Sequence, residues 1–406
     1  MSLHRTRLLL YSAAVVVLAL AYPAFARESP FPIRGIKGLW WDGFAKYDQA
    51  LPWIAKHNMN FLMFCYTSFP ASGTEWRADY TPEQIAHFRE MAKQAKKLKV
   101  GLCLSFNPGI WSKPPLSYCS ESDYQYALRK VKTTHATGIR WFALCLDDIN
   151  RELLPEDVQR YGTLQTAQVH FVNRLWGDMK RLKPEVHLIF CPSAYTSADA
   201  TAHPEYTKAV GEGIDPDVML FWTGPEVCSA TITANDAWQT ARLYHRRPFV
   251  WDNYPVNDMF PWRPLLAPVK GRSADLSGWV SGYIGNPMKQ WSISRIPLAT
   301  LAAYFRDPKH YNPQKAIAAS IAEFPVNQRP AIRLLVATYG SSFWGDRSFP
   351  PKPVANTVLE AKSVLPQYER LKQLLTKDPK LVEIWADVQP TVDADIASLR
   401  KTAGQR

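Results

Sequence analysis

Residues 140–150 read RWFALCLDDIN, an apolar run that ends abruptly in two acids. The run from Trp141 to Leu146 carries no charge and is too short for an ordinary helix. Because it is apolar on both faces, it predicts a strand buried on both sides, as in a parallel sheet. Asp147 and Asp148 then lie at the carboxyl end of the strand, where parallel α/β folds bind ligands. The alternative is a helix N-cap followed by a solvated acid.

The composition indicates a large folded protein with a basic surface. With 406 residues, 47% of them hydrophobic, the chain can bury the core of one large α/β domain and a smaller module. The net charge of +12 favours anionic surroundings, such as an acidic glycan or a membrane surface. The basic residues are scattered without an arginine-rich run, so we expect no nucleic-acid partner.

The first 26 residues are typical of a cleavable secretory signal peptide. Two arginines precede the apolar stretch 8–21, and Ala24 and Ala26 frame a small-x-small cleavage site. The stretch is shorter than the ~20 residues that span a bilayer, and a proline follows it. We therefore expect a secreted or periplasmic protein with no stable membrane span after cleavage.

After the signal, short apolar runs alternate with helical patterns. Eight such units match the (β/α)₈ TIM-type barrel in count and length, with an open doubly wound sheet as the alternative. We place the barrel at residues 27–308 and a small all-helical module at 309–406. The predicted strands are 33–41, 60–66, 100–106, 141–146, 186–191, 218–222, 248–251 and 279–284.

Polar residues collect at or just past the carboxyl ends of these strands, which favours the barrel because a barrel brings all such ends to one mouth. These residues are Asn107, Asp147, Asp148, Tyr195, Asn253, Asp258 and Asn286.

The residue types at the predicted mouth suit carbohydrate. The nine histidines are scattered, so no metal set is expected, with Mg²⁺ on the two acids as a weaker alternative. No phosphate loop or Gly-x-Ser-x-Gly elbow is present, and we expect no cofactor. Acids and amides bind hydroxyls, and four tryptophans offer flat faces to sugar rings or pack in the core. They are Trp40, Trp41, Trp222 and Trp251.

The six cysteines lack any C-x-x-C spacing, so neither a metal knuckle nor a redox motif is expected. Four fall in or beside apolar strand-like runs and are expected to be buried: Cys65, Cys103, Cys145 and Cys191. Only Cys119 and Cys228 fall in predicted loops, where they either pair as a disulfide or stay free.

Six segments resemble glycoside hydrolase family 84, the retaining β-N-acetylglucosaminidases, and the resemblance extends over residues 33–304. The segments are GIRWFALCLDDI, CPSAY, FWTGP, WDNYPVND, KGRS and SGYIGNP. The resemblance implies that Asp147 orients the 2-acetamido group of the substrate and that Asp148 is the general acid/base. It also implies sugar contacts by Gly38, Tyr195, Asn253, Asp258 and Asn286.

In such families the acetamido oxygen of the substrate attacks the anomeric carbon, so no enzymic nucleophile is needed. Two adjacent carboxyls then divide the work: Asp147 stays charged against the developing oxazolinium, while Asp148 keeps a raised pKa and donates a proton. Consecutive strand residues point to opposite faces, so the strand must end or bulge at Asp147.

The chain departs from the family pattern in two places. It has Gly38-Leu39-Trp40-Trp41 where the family has Gly-Phe-Tyr-Gly, and Tyr66-Thr67 where the family has Pro-Lys with a sugar-contacting lysine. The first hypothesis is therefore an exported, retaining hexosaminidase acting on an N-acetylhexosamine-containing glycan. The basic charge is interpreted first as a solvated surface, and an anionic glycan is the alternative. The alternatives are a catalytically silent glycan-binding barrel and a hydrolase for a sugar without the acetamido group.

Overall fold

A closed barrel of eight parallel strands, paired in chain order, dominates the computed structural model, which describes residues 29–259, 263–340 and 354–405. The predicted (β/α)₈ barrel is confirmed and the open sheet is wrong. The predicted signal peptide lies outside the described residues. The strands are β1 Arg34–Lys37, β2 Phe61–Phe64, β3 Gly101–Phe106, β4 Trp141–Cys145, β5 His187–Cys191, β6 Met219–Trp222, β7 Phe249–Pro255 and β8 Gly282–Asn286.

Helices connect the strands and cover the barrel. A capping box of Thr81 and Gln84, with Pro82 in the first turn, begins the helix at residues 82–98. Gly162 adopts a left-handed φ of 72° and separates two helices between the fourth and fifth strands. The helices are α1 Ala45–Lys56, α2 Pro82–Leu98, α3 Glu121–His135, α4 Pro155–Tyr161, α5 Leu164–Met179, α6 Ser197–Ala202, α7 Pro204–Gly213, α8 Ala234–Tyr244 and α9 Trp291–Arg306.

Three strand boundaries differ from the prediction in ways that matter for the mouth. The first strand stops at Lys37, and Trp40, three residues later, has a left-handed φ of 43° that no strand accommodates. The seventh strand continues to Pro255, so Asn253 lies inside it. The eighth begins and ends later than predicted, which makes Asn286 its last residue.

Alternation along the strands divides the core into two layers. In β4, Ala143 and Cys145 pack inside the barrel, whereas Phe142 and Leu144 pack against the surrounding helices. Asp147 continues the inward series two residues beyond the end of the strand. The predicted strand end before the acid pair is therefore present.

The C-terminal helices pack on the barrel and share a hydrophobic cluster with it. Met288, Ile293 and Ile296 of the barrel join residues of these helices in one buried core. The backbone N–H of Ser292 donates to Asp387 Oδ2 at 2.9 Å across the same contact. The division of the chain at residue 308 stays a prediction. The helices are α10 Pro313–Ala322, α11 Arg329–Tyr339, α12 Val358–Lys377 and α13 Val382–Thr402.

All six cysteines are free, so Cys119 and Cys228 do not pair. Cys119 is exposed, whereas Cys228 is buried beside Leu39 and Val256 near the mouth. The four cysteines predicted to be buried are buried. Within the three described ranges, no helix combines the length and apolar character needed to cross a bilayer.

Candidate active site

A pocket with a cavity volume of about 140 Å³ lies at the carboxyl ends of the strands. All but one of the residues that the resemblance assigns to the site line it, together with Trp251: Asp147, Asp148, Tyr195, Asn253, Asp258 and Asn286. The exception is Gly38, although its neighbours Lys37 and Leu39 do line the pocket. The tertiary structure thus brings together side chains from β4, β5, β7 and β8 that are far apart in the sequence.

Asp147 is the most constrained carboxyl in the pocket. The Tyr66 hydroxyl donates to its Oδ2 at 2.9 Å, and the Asn107 side-chain N–H donates to its Oδ1 at 3.2 Å. Tyr66 follows the end of β2 and Asn107 follows the end of β3, so two neighbouring strand ends hold one carboxylate. This geometry orients the carboxyl plane before any ligand arrives.

The environment raises the pKa of Asp147 to about 6. Burial is the largest cause and the adjacent charge of Asp148 is the second, while the hydrogen bond from Tyr66 and the charge of Lys37 act in the opposite direction. The sequence analysis expected Asp147 to be the charged partner with Asp148 carrying the raised pKa. The structure raises the pKa of Asp147 to about 6, so a larger fraction of this carboxyl is protonated near neutral pH than in an ordinary exposed aspartate.

Asp148 is the exposed member of the pair and faces the open side of the pocket. The Tyr195 hydroxyl donates to its Oδ1 at 3.3 Å. Burial, followed by the charges of Asp148 and Asp147, raises the pKa of Tyr195. The tyrosine therefore remains a donor, and Asp148 keeps free acceptor capacity toward the pocket.

A second network lies on the β7 and β8 side. The Asn253 side-chain oxygen accepts from the Trp251 indole N–H at 3.1 Å and from the Asn286 amide at 2.8 Å, and its own amide donates to the Val227 carbonyl at 2.7 Å. The buried Asn286 Oδ1 has no hydrogen-bond partner among the described residues. An unsatisfied buried acceptor on the wall of a pocket is suited to a ligand hydroxyl.

Lys37 is the pocket residue that the sequence analysis missed. Its side chain is only 3% exposed, and its ammonium lies 3.9 Å from the centre of the Trp251 ring. The available signal was strand alternation: Ile36 packs outward, so Lys37 must point into the barrel. Lys37 also lowers the pKa of Asp258, whereas desolvation by the surrounding protein is the largest effect and raises it.

Gly38 is required by packing. A Cβ atom there would lie 2.1 Å from the Tyr47 hydroxyl oxygen, which accepts the Cys65 backbone N–H at 2.9 Å. Its implied contact with sugar stays a prediction.

Of the four tryptophans considered as surfaces for sugar stacking, two line the pocket and two are buried in the core. Trp41 and Trp222 are fully buried in the core outside the barrel, which is the second of the two alternatives given for them, and they do not line the pocket. Trp40 and Trp251 line the pocket, although the Lys37 ammonium lies over the Trp251 ring.

The KGRS segment has a structural role. The Arg272 guanidinium binds Asp252 through two contacts, Nη2 to Oδ1 at 2.6 Å and Nε to Oδ2 at 2.9 Å. The Tyr283 hydroxyl also donates to Asp252 Oδ2 at 2.6 Å. Asp252 points away from the pocket because it alternates with Trp251 and Asn253 on β7. The buried ion pair therefore supports the strands beneath the site.

The chemistry available to this arrangement is that of two carboxyls in unlike environments. Cys191 lines the pocket, but burial raises the pKa of its thiol well above the ordinary value, so it is a poor nucleophile. Among the described residues, no group of three or more His, Cys, Asp or Glu side chains is placed to hold a metal ion. A fixed carboxylate beside an accessible carboxyl suits acid/base work on a polar substrate.

Comparison with models of known protein families gives a match over most of the chain. A model of the family described as beta-N-acetylglucosaminidase matches residues 33–337. The chain is 26% identical over 234 residues to protein O-GlcNAcase of Rattus norvegicus and to that of Mus musculus, covering 57% of this chain. It spans only about a quarter of the length of these relatives, 25% in each case.

A solved structure supports the fold over nearly the whole chain. A mutant of Thermobaculum terrenum O-GlcNAc hydrolase superposes with a TM-score of 0.77 at 22% identity, covering 90% of this chain and 81% of that one. At 22% sequence identity, this similarity supports the same fold and nothing more specific.

Proposed function

The chain belongs to the beta-N-acetylglucosaminidase family, and from that membership we propose that it is a retaining glycoside hydrolase acting at β-linked N-acetylhexosamine by substrate-assisted catalysis. The observation that carries the proposal is the pairing of Asp147, held by Tyr66 and Asn107, with the accessible Asp148 beside it. A carboxylate fixed on two donors is suited to orienting a group of the substrate, whereas its neighbour is free to exchange protons.

In the first step, the acetamido carbonyl oxygen attacks the anomeric carbon as the bond to the leaving oxygen breaks, and Asp148 donates a proton to that oxygen. Asp147 accepts a hydrogen bond from the acetamido N–H, and its negative charge offsets the positive charge that develops on the oxazolinium. In the second step, Asp148 takes a proton from water as the water opens the ring, which restores the acetamido group with net retention.

The environment of Asp147 suits this role in the bound state. Burial makes its charge costly in the empty pocket, so the free carboxyl titrates at about 6. An acetamido N–H that donates to the carboxylate would stabilise the charged form, and the developing oxazolinium would stabilise it further. The charge of Asp147 thus interacts more strongly with the oxazolinium-like transition state than with the neutral acetamido group of the bound substrate, which is the requirement for catalysis.

The charges of the pocket favour a neutral sugar at the reacting position. Asp147, Asp148 and Asp258 line it, and Lys37 is the one basic side chain among the described lining residues. An anionic sugar would meet net repulsion there. If an anionic glycan is the natural substrate, we infer that its charges lie outside this pocket.

The direct test is turnover of aryl 2-acetamido-2-deoxy-β-glycosides by the purified protein, with the corresponding aryl glucoside as the control. We expect hydrolysis of the first and little of the second, and tight inhibition by a thiazoline that mimics the oxazoline. Binding of these compounds without turnover would support the silent glycan-binding barrel. Equal turnover of both glycosides would support a hydrolase that does not use the acetamido group.

We also propose that the protein is exported, as the charged start, apolar stretch and Ala24/Ala26 pair indicate. Intact-mass measurement on protein from the native host should show loss of residues 1–26. A mass that retains Met1–Ala26 would overturn this part of the proposal.

A further inference from the structure

A second cavity of about 360 Å³ adjoins the reaction pocket. The two cavities share four lining residues, Tyr66, Thr67, Ile110 and Trp111, so they lie side by side at the barrel mouth. The second cavity, called the side groove below, extends from Trp111 past Thr67 to Asp42, Thr74 and Gln84. None of these three residues is among those the sequence analysis selected.

Trp111 stands at the junction of the two cavities in an unfavourable state. Its side chain is 64% exposed, although indole is largely apolar, and its backbone φ is 50°. A left-handed backbone at a bulky residue costs conformational free energy, and exposure of the ring forgoes the gain from burial. Neither feature contributes to the stability of the fold.

The other left-handed residues have ordinary explanations. In the described part of the chain, five non-glycine residues have positive φ, and three of them, Asn58, Lys99 and His245, lie at or just after helix C-termini. The remaining two are Trp40 and Trp111, which are not at helix ends and both line the reaction pocket. Strain confined to two aromatic residues of one pocket points to ligand binding.

The loop that carries Trp111 is held by the same side chain that holds Asp147. The Asn107 side-chain oxygen accepts the backbone N–H groups of Gly109 and Ile110, at 3.1 and 2.9 Å, while its amide donates to Asp147. The indole is therefore placed relative to the catalytic carboxyl by one rigid amide. Such pre-organisation lowers the entropic cost of binding a ligand that spans both cavities.

The other groups of the side groove suit hydroxyls. The side chains of Asp42, Thr67, Thr74 and Gln84 bring a carboxylate, two hydroxyls and an amide to a groove whose apolar surface includes Trp111 and Pro70. A flat aromatic face bordered by hydrogen-bonding side chains matches a pyranose ring, which is apolar on its faces and polar at its edge.

We propose that the side groove is a second sugar subsite in which the face of Trp111 stacks on a hexopyranose ring joined to the reacting N-acetylhexosamine. The proposal rests on the proposed function for the identity of the neighbouring pocket. It makes the preferred substrate an oligosaccharide of two or more rings rather than a single sugar on a small aglycone. Stacking uses the face of the sugar ring and does not depend on the substituents at its edge. N,N′-diacetylchitobiose, which has two such rings, is therefore a sufficient probe.

The test separates binding from turnover. Calorimetry in an Asp148→Asn background, which keeps the pocket but blocks proton donation, should show tighter binding of N,N′-diacetylchitobiose than of N-acetylglucosamine. Adding Trp111→Ala should weaken disaccharide binding roughly tenfold more than monosaccharide binding. Trp111→Phe should retain part of the preference. Trp279→Ala is the matched control, because Trp279 is also exposed, at 40%, but lines neither cavity.

Turnover of 2-acetamido-2-deoxy-β-glucosyl fluoride tests the proposed function separately, since fluoride leaves the side groove empty. If the wild type does not hydrolyse the fluoride, the proposed hydrolase function is wrong. The calorimetry would still test whether the side groove binds a sugar. Equal affinity for the two sugars, or equal losses on both in Trp111→Ala, would overturn the subsite. Failure of both sugars to bind would overturn it as well.

Discussion

The Lys37 ammonium lies 3.9 Å from the centre of the Trp251 ring and makes no hydrogen bond or ion pair with the described residues. The last residue of the first strand thus places a positive charge inside a pocket lined by three carboxyls. Its charge lowers the pKa of Asp147 and of Asp258. The lysine therefore helps to keep these carboxyls charged at neutral pH.

Replacing Lys37 by methionine should move the acid limb of the pH profile of kcat/KM to higher pH. Removal of the positive charge raises the pKa of Asp147 above about 6, so a smaller fraction is charged at any pH near that value. The shift should be a fraction of a pH unit, because Lys37 is the smallest of the named effects. Lys93→Met, at an exposed site on α2, is the control and should leave the profile unchanged. An acid limb that stays in place would contradict this role.

The two aspartates should differ in their dependence on the leaving group. Asp148→Asn should lose roughly 10² to 10⁴ in rate on natural glycosides, but much less on an aryl glycoside whose phenolate leaves without a proton. Asp147→Asn should remain impaired on both, since every leaving group requires the oxazoline. Azide should partly restore turnover only in Asp148→Asn. If the rates of the two variants depended equally on the leaving group, the roles proposed for Asp147 and Asp148 would be wrong.

Asp147→Asn should also stabilise the protein in a pH-dependent way. The folded-state pKa of about 6 exceeds the ordinary value of 3.8, so folding binds a proton in this range and the charged carboxyl destabilises the folded state above pH 6. The variant should gain about 1 to 3 kcal/mol at pH 8, and the gain should disappear near pH 4. Chemical denaturation at both pH values measures it. A gain that does not change with pH would show that the pKa of Asp147 is not raised.

Alanine variants of Asn253 and Asp258 should have different effects on stability. We expect Asn253 to contribute to both folding and substrate binding, and Asp258 to contribute to substrate binding alone. Asn253→Ala leaves the Trp251 indole N–H, the Asn286 amide and the Val227 carbonyl without their partner, each at a cost of about 1 to 3 kcal/mol if it stays buried. We expect a lower Tm together with weaker substrate binding. Asp258→Ala should keep or raise Tm, because desolvation raises the pKa of the Asp258 carboxyl and so makes its charge unfavourable in the folded protein. The same variant should raise KM. Loss of folding in Asp258→Ala would contradict its placement in the binding site.

Arg272→Met should destabilise the barrel by about 3 to 5 kcal/mol, because it leaves the Asp252 carboxylate buried without its partner. Denaturant unfolding of the variant measures the loss. The double variant Arg272→Met/Asp252→Asn should recover part of it, since no uncompensated charge remains. If the single variant were as stable as the wild type, the pair would contribute nothing to the strands beneath the site.

The sequence by itself determined the barrel and the position of the pocket at its mouth. Short apolar runs with polar residues at their carboxyl ends predicted eight parallel strands, and the abrupt change at Asp147 identified the mouth. These features are local, because burial on both faces of a strand and the period of two are visible in a few residues. Alternation also predicted that the strand must end or bulge at Asp147, and the strand ends at Cys145.

Only the tertiary structure decided which side chains meet. Lys37 reaches the pocket and Trp41 does not, because barrel closure and the end of β1 determine the direction of each side chain. The pKa of Asp147 depends on burial and on partners from two other strands, so it has no local signature. The side groove exists because the turn after β2 and the loop after β3 approach one another in space. Patterns in a sequence report the environment of one segment, whereas contacts between strand ends depend on register and closure, which involve the whole barrel.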